Sequence, residues 1–339
     1  MGKVLIIAEA GVNHNGNFDL AKKMVDVAFK AGADIVKFQT AIPELVMSVD
    51  APKAEYQSKN TGSSESQLEM SKKIHLPLEA YKDLKEYCET TVGIKFLSTA
   101  FDHVSLDLLN NLGISIFKIP SGEITNLPYL RKVATYGKEI ILSTGMATMD
   151  EIDFALQALT KSGVKKNMIS VLHCNTDYPT PFEDVNLRAM LSLREAFDVR
   201  VGYSDHSLGI EVPIAAVSLG AEIIEKHFTL DKSMEGPDHV ASLDPTELKQ
   251  MIKAIRNTEV ALGSAEKKPT PSESKNIIIA RRSIHLVTSL PEGHIISEQD
   301  VIMKRPGDGI SPTMVDSVIG KKLKTNLPAD HKLDWSDLI

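Results

Sequence analysis

Two lysines, two histidines and a carboxylate stand where apolar runs of the sequence give way to polar ones. Lys37 and Lys118 lie within or at the ends of β-rich runs, and Thr99, Ser121 and Ser204 lie at or just beyond the ends of such runs. Two ammonium groups ringed by hydroxyl donors make a cradle for a phosphate or carboxylate. A lysine so placed can instead snorkel to solvent. With a lowered pKa in an apolar pocket it can form a Schiff base. His206 and His227 end two successive runs, so their imidazoles can converge. Two histidines with open positions suit Mn, Fe, Co or Zn and leave room for water or substrate oxygens; hydrogen-bonded rim histidines are the plainer reading. Glu123, just after Ser121-Gly122, can act as a general base or cap a helix.

Such groups need elements to position them. Eight short β-rich runs recur at residues 4–8, 35–38, 95–97, 115–119, 139–142, 169–172, 200–202 and 223–225. Between them lie helical spacings such as Leu20-Met24-Val27-Ala28-Ala31, Leu78-Tyr81-Leu84-Cys88 and Ile152-Ala155-Leu156-Leu159. Alternating strands and helices predict βαβ units and a parallel sheet. Eight units fit an α/β closed (β/α)8 TIM barrel, a fold of about 250 residues. An open doubly wound sheet would carry a glycine-rich phosphate loop after its first strand, where this chain has Glu9-Ala10-Gly11-Val12-Asn13-His14. In a barrel the catalytic groups gather at the C-terminal strand ends. Polar residues mark all eight ends, and Lys226 joins Lys37 and Lys118 as a cation expected on that rim. An insertion at residues 41–75 is expected to form a substrate lid.

After residue 262 the texture changes. Residues 1–262 read as the barrel, the polar, Pro- and Ser-bearing stretch 263–276 as a linker, and residues 277–339 as a small, turn-rich second domain. That size is marginal alone, so docking on another surface is expected.

The 339 residues carry a net charge of −7, are 42% hydrophobic and 24% charged, and hold two cysteines. This is an average globular composition, which argues against disorder. The acidic balance argues against a nucleic-acid partner. Cys88 and Cys174 do not make a disulfide framework. The longest early apolar run, residues 4–8, is too short for a signal core or membrane span, and Ile6 stands where a myristoylation signal wants Ser or Thr. A soluble, cytoplasmic protein with no membrane partner is expected.

Taken together, these residues resemble the sialic acid synthase family. The resemblance runs through Glu9-x-Gly11-x-Asn13-His14-Asn15-Gly16, Lys37-Phe38-Gln39-Thr40, Phe117-Lys118-Ile119-Pro120-Ser121-Gly122-Glu123 and Ser143-Thr144-Gly145-Met146. It continues in Tyr178-Pro179-Thr180-Pro181, Ser204-Asp205-His206, Glu225-Lys226-His227-Phe228-Thr229, Gly236-Pro237-Asp238 and Lys304-Arg305-Pro306-Gly307-x-Gly309. It implies a TIM barrel followed by an antifreeze-like (SAF) domain. It also implies a metal-dependent transferase that condenses phosphoenolpyruvate with N-acetylmannosamine and releases phosphate by C–O cleavage. The divalent ion, Mn2+ with Mg2+ or Co2+ as substitutes, would sit on His206 and His227, with Glu123 as base. Lys37, Thr99, Lys118, Ser121, Asn175 and Ser204 would hold phosphoenolpyruvate. Gln39, Asn60, Tyr178 and Asp238 would face the sugar, as would a catalytic Arg305 reaching over from the partner chain of a domain-swapped homodimer. Some members read His-Cys-Thr-Asn where this chain has His173-Cys174-Asn175-Thr176, so Asn175 and Thr176 compete for the ligand contact. An N,N'-diacetyllegionaminate synthase, using 2,4-diacetamido-2,4,6-trideoxymannose, is the alternative. Residues 54–62 look more like the sialic acid type.

Overall fold

A computed structural model describes residues 2–62 and 65–339. The chain divides into two compact units, residues 1–263 and 264–339. The first is a closed barrel of eight parallel strands in sequence order. These are β1 (Leu5–Gly11), β2 (Ile35–Thr40), β3 (Lys95–Ala100), β4 (Ile116–Ile119), β5 (Glu139–Ser143), β6 (Ile169–Cys174), β7 (Arg200–Asp205) and β8 (Ile223–His227). All eight runs seen in the sequence form strands. Seven of them extend beyond the apolar run into the polar residues that follow. The ladder continues there because its hydrogen bonds are made by the backbone, whatever the side chain.

Strand side chains alternate between faces. Ile7, Ile35, Leu97, Ile116, Ile141, Leu172 and Ile223 fill the barrel interior in one cluster. Ile6, Ala8, Val36 and Phe38 join the larger cluster between the strands and the helices. Gly202 is required where β7 meets β8: a Cβ there would lie 2.3 Å from the Ile223 carbonyl oxygen and 2.7 Å from Leu172 Cδ2.

The helices follow from local signals. Phe18–Ala31 begins at Asn17, whose side chain accepts from the Leu20 amide, and ends at Gly32 in the left-handed region. It buries Ala21, Met24, Val25 and Ala28, one stripe of a 3.6-residue period. Met149–Lys161 starts from a Thr148/Glu151 capping box. The spacing through Cys88 forms the helix Ala80–Glu86, prolonged by a π-helical turn, Tyr87–Val92. Pro245–Leu262 packs on both Glu211–Ser218 and Phe18–Ala31, which closes the helical ring.

Among the described residues the insertion after β2 holds three short helices, Pro43–Val46, Glu55–Thr61 and Gln67–Ile74. The Gly16 amide donates to the Ile74 carbonyl, and Asn60 Nδ2 donates to the Pro237 carbonyl at 2.7 Å. Both bonds tie the insertion to loops at the strand ends.

In the second unit, part of the stretch read as linker is helical, Pro271–Ala280. A Thr270/Glu273 capping box with proline in the first turn explains it. Beyond it, β9 (Ser283–Leu286) pairs antiparallel with β10 (Val301–Lys304). Ile284, Leu286, Leu290, Ile296, Ile310 and Leu333 are among the residues of its own apolar core. Two turn segments repeat one device: His294 Nε2 donates to Asp300 at 2.9 Å and His331 Nε2 to Asp337 at 2.9 Å, six residues on in each case. No helix among the described residues is long and apolar enough to cross a membrane.

Candidate active site

At the C-terminal strand ends lies a cavity of about 180 Å³. Strand register decides which residues reach it. Glu9 pairs across β1–β2 with Lys37 and across β1–β8 with His227. Gln39 is level with Thr99, and Thr99 with Lys118. Ser204 is level with Glu225. The parity that points Glu9 inward also points in Lys37, Thr99, Lys118, Ser204, Glu225 and His227, and all of them line the cavity.

These groups form one buried network. Lys37 Nζ lies 2.8 Å from Glu9 Oε2 and 3.6 Å from Glu225 Oε1, and donates to Thr99 Oγ1 at 3.0 Å. Lys118 Nζ donates to Glu225 Oε1 at 2.8 Å, and Ser204 Oγ donates to the same oxygen at 3.1 Å. Burial alone would raise the Glu225 carboxyl, but Lys118 and Lys37 outweigh it and hold it at about 2. Burial wins at Glu9, pushing it up to about 7 against the pull of Lys37. Burial also lowers Lys118 from the usual lysine range, whereas Glu225 and Glu9 keep Lys37 above it. The cluster therefore sets the Lys37 and Lys118 side chains against one firm anion, Glu225, and one carboxyl raised by burial, Glu9. That balance favours an incoming anion, which can take over the ammonium groups now held by Glu225.

His206 and His227 converge, with ring centroids 5.6 Å apart. Burial drives His206 down to about 4 and His227 far below its usual value, so both are neutral. His206 Nδ1 donates to the Asn175 carbonyl, which leaves its Nε2 lone pair free for a ligand. His227 Nδ1 is buried with no partner among the described residues, as are Glu225 Oε2 and Ser143 Oγ. Buried polar atoms without partners mark places where a bound group makes the missing bond. Two neutral imidazoles fit a divalent ion that completes its shell with water or substrate oxygens. Among the described residues no group of three or more His, Cys, Asp or Glu is arranged to hold a metal.

Tyr178 covers the histidines, tilted by 31° against His206 with centroids 4.0 Å apart and edge-on to His227 at 5.7 Å. Gln39 Nε2 donates to Glu9 Oε1 at 3.4 Å. Tyr178 and Gln39 also line an adjoining chamber of about 230 Å³, walled by the insertion and by Asp238. Burial pushes the Asp238 carboxyl up to about 6.

Not every expected residue joins the cavity. Ser121 does, its Oγ accepting from the Gly145 amide at 2.9 Å. Asn175 does not: its side-chain oxygen accepts from the Asp177 amide at 2.7 Å, and Thr176 takes the place on the wall. Glu123 is half-buried beside the wall, accepting from Asn126 at 2.6 Å. Asn60 bonds the Pro237 carbonyl while its neighbours Tyr56 and Gln57 line the chamber. Arg305 belongs to the second unit, exposed, with Nε donating to the Ala280 carbonyl at 3.0 Å.

Lys226 is not a rim cation. Its ammonium is wholly buried against Asp205, its register partner, and donates to the Ser207 carbonyl at 2.6 Å. Asp205 and Lys226 precede His206 and the inward His227 by one residue each, so alternation turns them to the outer face. Glu9 and Glu225, given no role from sequence, are instead the carboxylates of the cavity. Their signal was parity: each lies two residues from, or level with, an inward lysine or histidine.

A model of the NeuB family matches residues 24–267, and a SAF domain model matches residues 281–339. The chain is 53% identical over 331 residues to N,N'-diacetyllegionaminic acid synthase of Campylobacter jejuni, covering 98% of this chain and 99% of that protein. It is 46% identical over 335 residues to the protein of the same name from Legionella pneumophila, covering 98% and 94%. Among solved structures, N-acetylneuraminic acid synthetase of Leptospira borgpetersenii, crystallised with citrate, is 34% identical with a TM-score of 0.70, covering 81% of this chain and 90% of that one. With strand-end chemistry, barrel and family model in agreement over most of its length, the chain belongs to the NeuB family and ends in a SAF domain.

Proposed function

We propose that this enzyme condenses phosphoenolpyruvate with a 2,4-diacetamido-2,4,6-trideoxymannose to give an N,N'-diacetyllegionaminate. The observation that carries the chemistry is the pair Lys37 and Lys118, joined by Thr99 and Ser204, beside two neutral histidines. The choice of sugar rests on identity: 53% to a diacetyllegionaminic acid synthase against 34% to a sialic acid synthetase. That reverses the expectation from residues 54–62, which favoured N-acetylmannosamine.

In this reading Lys37, Lys118, Thr99, Ser121 and Ser204 bind the phosphate and carboxylate of phosphoenolpyruvate, and Thr176 rather than Asn175 adds the wall hydroxyl. His206 and His227 would hold a divalent ion, Mn2+ first with Mg2+ or Co2+ as substitutes, which supplies Lewis acidity at the sugar aldehyde. The C3–C1 bond forms as the enol attacks the open-chain aldehyde, whose oxygen takes up a proton. Water adds at C2 and loses a proton, and the C2–O bond to phosphate breaks. Glu9, at about 7 on the cavity wall, is the carboxyl poised to accept and return those protons; Glu123, next to Gly122 of the wall, is the second candidate. Gln39, Tyr178 and Asp238 orient the sugar.

Assembly belongs to the same proposal. Met146, Phe182, Leu208 and Val240, in the loops after β5, β6, β7 and β8, expose apolar side chains on the strand-end rim. The SAF domain of a second copy would cover such a rim and deliver its Arg305 to the sugar. Phosphoenolpyruvate labelled with 18O in the bridging position tests the chemistry. C–O cleavage sends the label into phosphate; label kept in the product overturns this mechanism. A Schiff-base route would instead let borohydride with pyruvate label a lysine.

A further inference from the structure

The chamber beside the charged cavity is made of different material. The insertion gives it Val46, Met47, Met70 and Ile74 as an apolar wall, with the side-chain amides of Gln57 and Gln67. Among the described residues no lysine or arginine lines it, and Asp238 is its one carboxylate. The two spaces share Gln39, Phe101, Tyr178 and His227, so a ligand reacting beside His227 extends its remote end into the chamber. Gln57 Oε1 already accepts from the Ala54 amide at 3.0 Å and from Gln67 Nε2 at 3.4 Å. The Gln57 side chain also bonds the Tyr56 hydroxyl, which leaves the second N–H of its amide and Gln67 Oε1 as a donor and an acceptor, the complement of an amide.

We propose that Met47, Met70, Gln57 and Gln67 form a specificity subsite that takes the non-reacting end of a deoxy-hexosamine, its methyl against the thioethers and its acylamido group against the glutamines. A hydroxymethyl end would instead set its hydroxyl against sulfur and aliphatic carbon; Ser71 and His75, which also line the chamber, bond each other at 3.1 Å, so a hydroxyl is poorly partnered there. A methyl gained or lost against such a wall changes discrimination by about 10- to 200-fold. The assignment rests on the proposed function, because it names what that function's sugar meets.

Steady-state phosphate release decides it, with phosphoenolpyruvate and Mn2+ and two sugars compared: 2,4-diacetamido-2,4,6-trideoxymannose and N-acetylmannosamine. The readout is the ratio of kcat/KM between them in Met47→Gln, Met70→Gln, Gln57→Leu and the volume-matched Met70→Leu. The subsite predicts a ratio at least about tenfold lower in Met47→Gln and Met70→Gln. It also predicts a raised KM for the diacetamido sugar in Gln57→Leu, a small change in Met70→Leu, and an unaltered KM for phosphoenolpyruvate throughout. Met70 is buried, so if Met70→Gln fails to fold, the half-buried Met47→Gln decides. An unchanged ratio in folded variants overturns the subsite and leaves the proposed function standing. A wild-type enzyme that turns over N-acetylmannosamine and not the diacetamido sugar overturns the proposed function, and the subsite with it.

Discussion

Glu9 and Glu225 show how burial sets two carboxylates apart within one cavity. Glu225 shares one oxygen among Lys37, Lys118 and Ser204 and stays ionised. Glu9, with less cationic company, titrates near 7. A base works when deprotonated, so kcat/KM should rise with pH through about 7, and Glu9→Gln should abolish that limb along with roughly 100-fold or more of the rate. Glu123→Gln should cost less than Glu9→Gln in the same assay; the reverse order would return the base role to Glu123. Lys226 and Asp205 make a separate prediction. Lys226→Met leaves a carboxylate buried without its counter-charge, a loss of about 3–5 kcal/mol. The double variant Lys226→Met/Asp205→Leu should recover part of it, as read by urea unfolding followed by far-UV circular dichroism. Most of the site was legible as residue types at strand ends. The error over Lys226 came from treating neighbours as equivalent, when a one-residue step in a strand exchanges the lumen for the helix layer.

Strands were legible as apolar runs, and their true ends were not, because the polar residues that finish them still pair through the backbone. At Ser204 and Asp205 the sequence shows only the start of a loop, yet both belong to β7. The helix Pro271–Ala280 was hidden by a composition typical of linkers, although Thr270-Pro271-x-Glu273 carries its start signal. The insertion could be read as an excursion over the rim; its three helices and the chamber they wall depend on tertiary contacts that no local pattern reports. β7 owes its close contact with β8 to Gly202. Gly202→Ala would force the Ile223 backbone or the Leu172 side chain to move, destabilising the barrel by about 1–3 kcal/mol. A melting temperature unchanged from wild type would contradict that packing.

The whole molecule pairs an enzyme barrel with a small domain that has its own core and its own optical probe. Trp335 is the one tryptophan in the sequence and lies in the SAF unit. In that unit the Asp300 carboxylate accepts from His294, the Ser297 amide and the Ser297 hydroxyl, which hold it at about 2, below its usual 3.8. A depressed carboxyl stabilises the fold above its unfolded pKa, and that stability is lost as pH falls through the folded value. Trp335 fluorescence should therefore report acid destabilisation between about pH 4 and pH 2, and Asp300→Asn should flatten it. The charge of −7 gives no hint of an anion site, because the cations that make it are two lysines inside the barrel. The proposed reaction joins phosphoenolpyruvate to a diacetamido sugar at this site. One assay tests it most directly: phosphate release with phosphoenolpyruvate, Mn2+ and a panel of N-acetylated hexosamines, with the product mass measured and a chelator control. Chelator-sensitive release is expected with 2,4-diacetamido-2,4,6-trideoxymannose, with a product of the mass of N,N'-diacetyllegionaminate. Release with N-acetylmannosamine alone, or undiminished release under chelator, would contradict it.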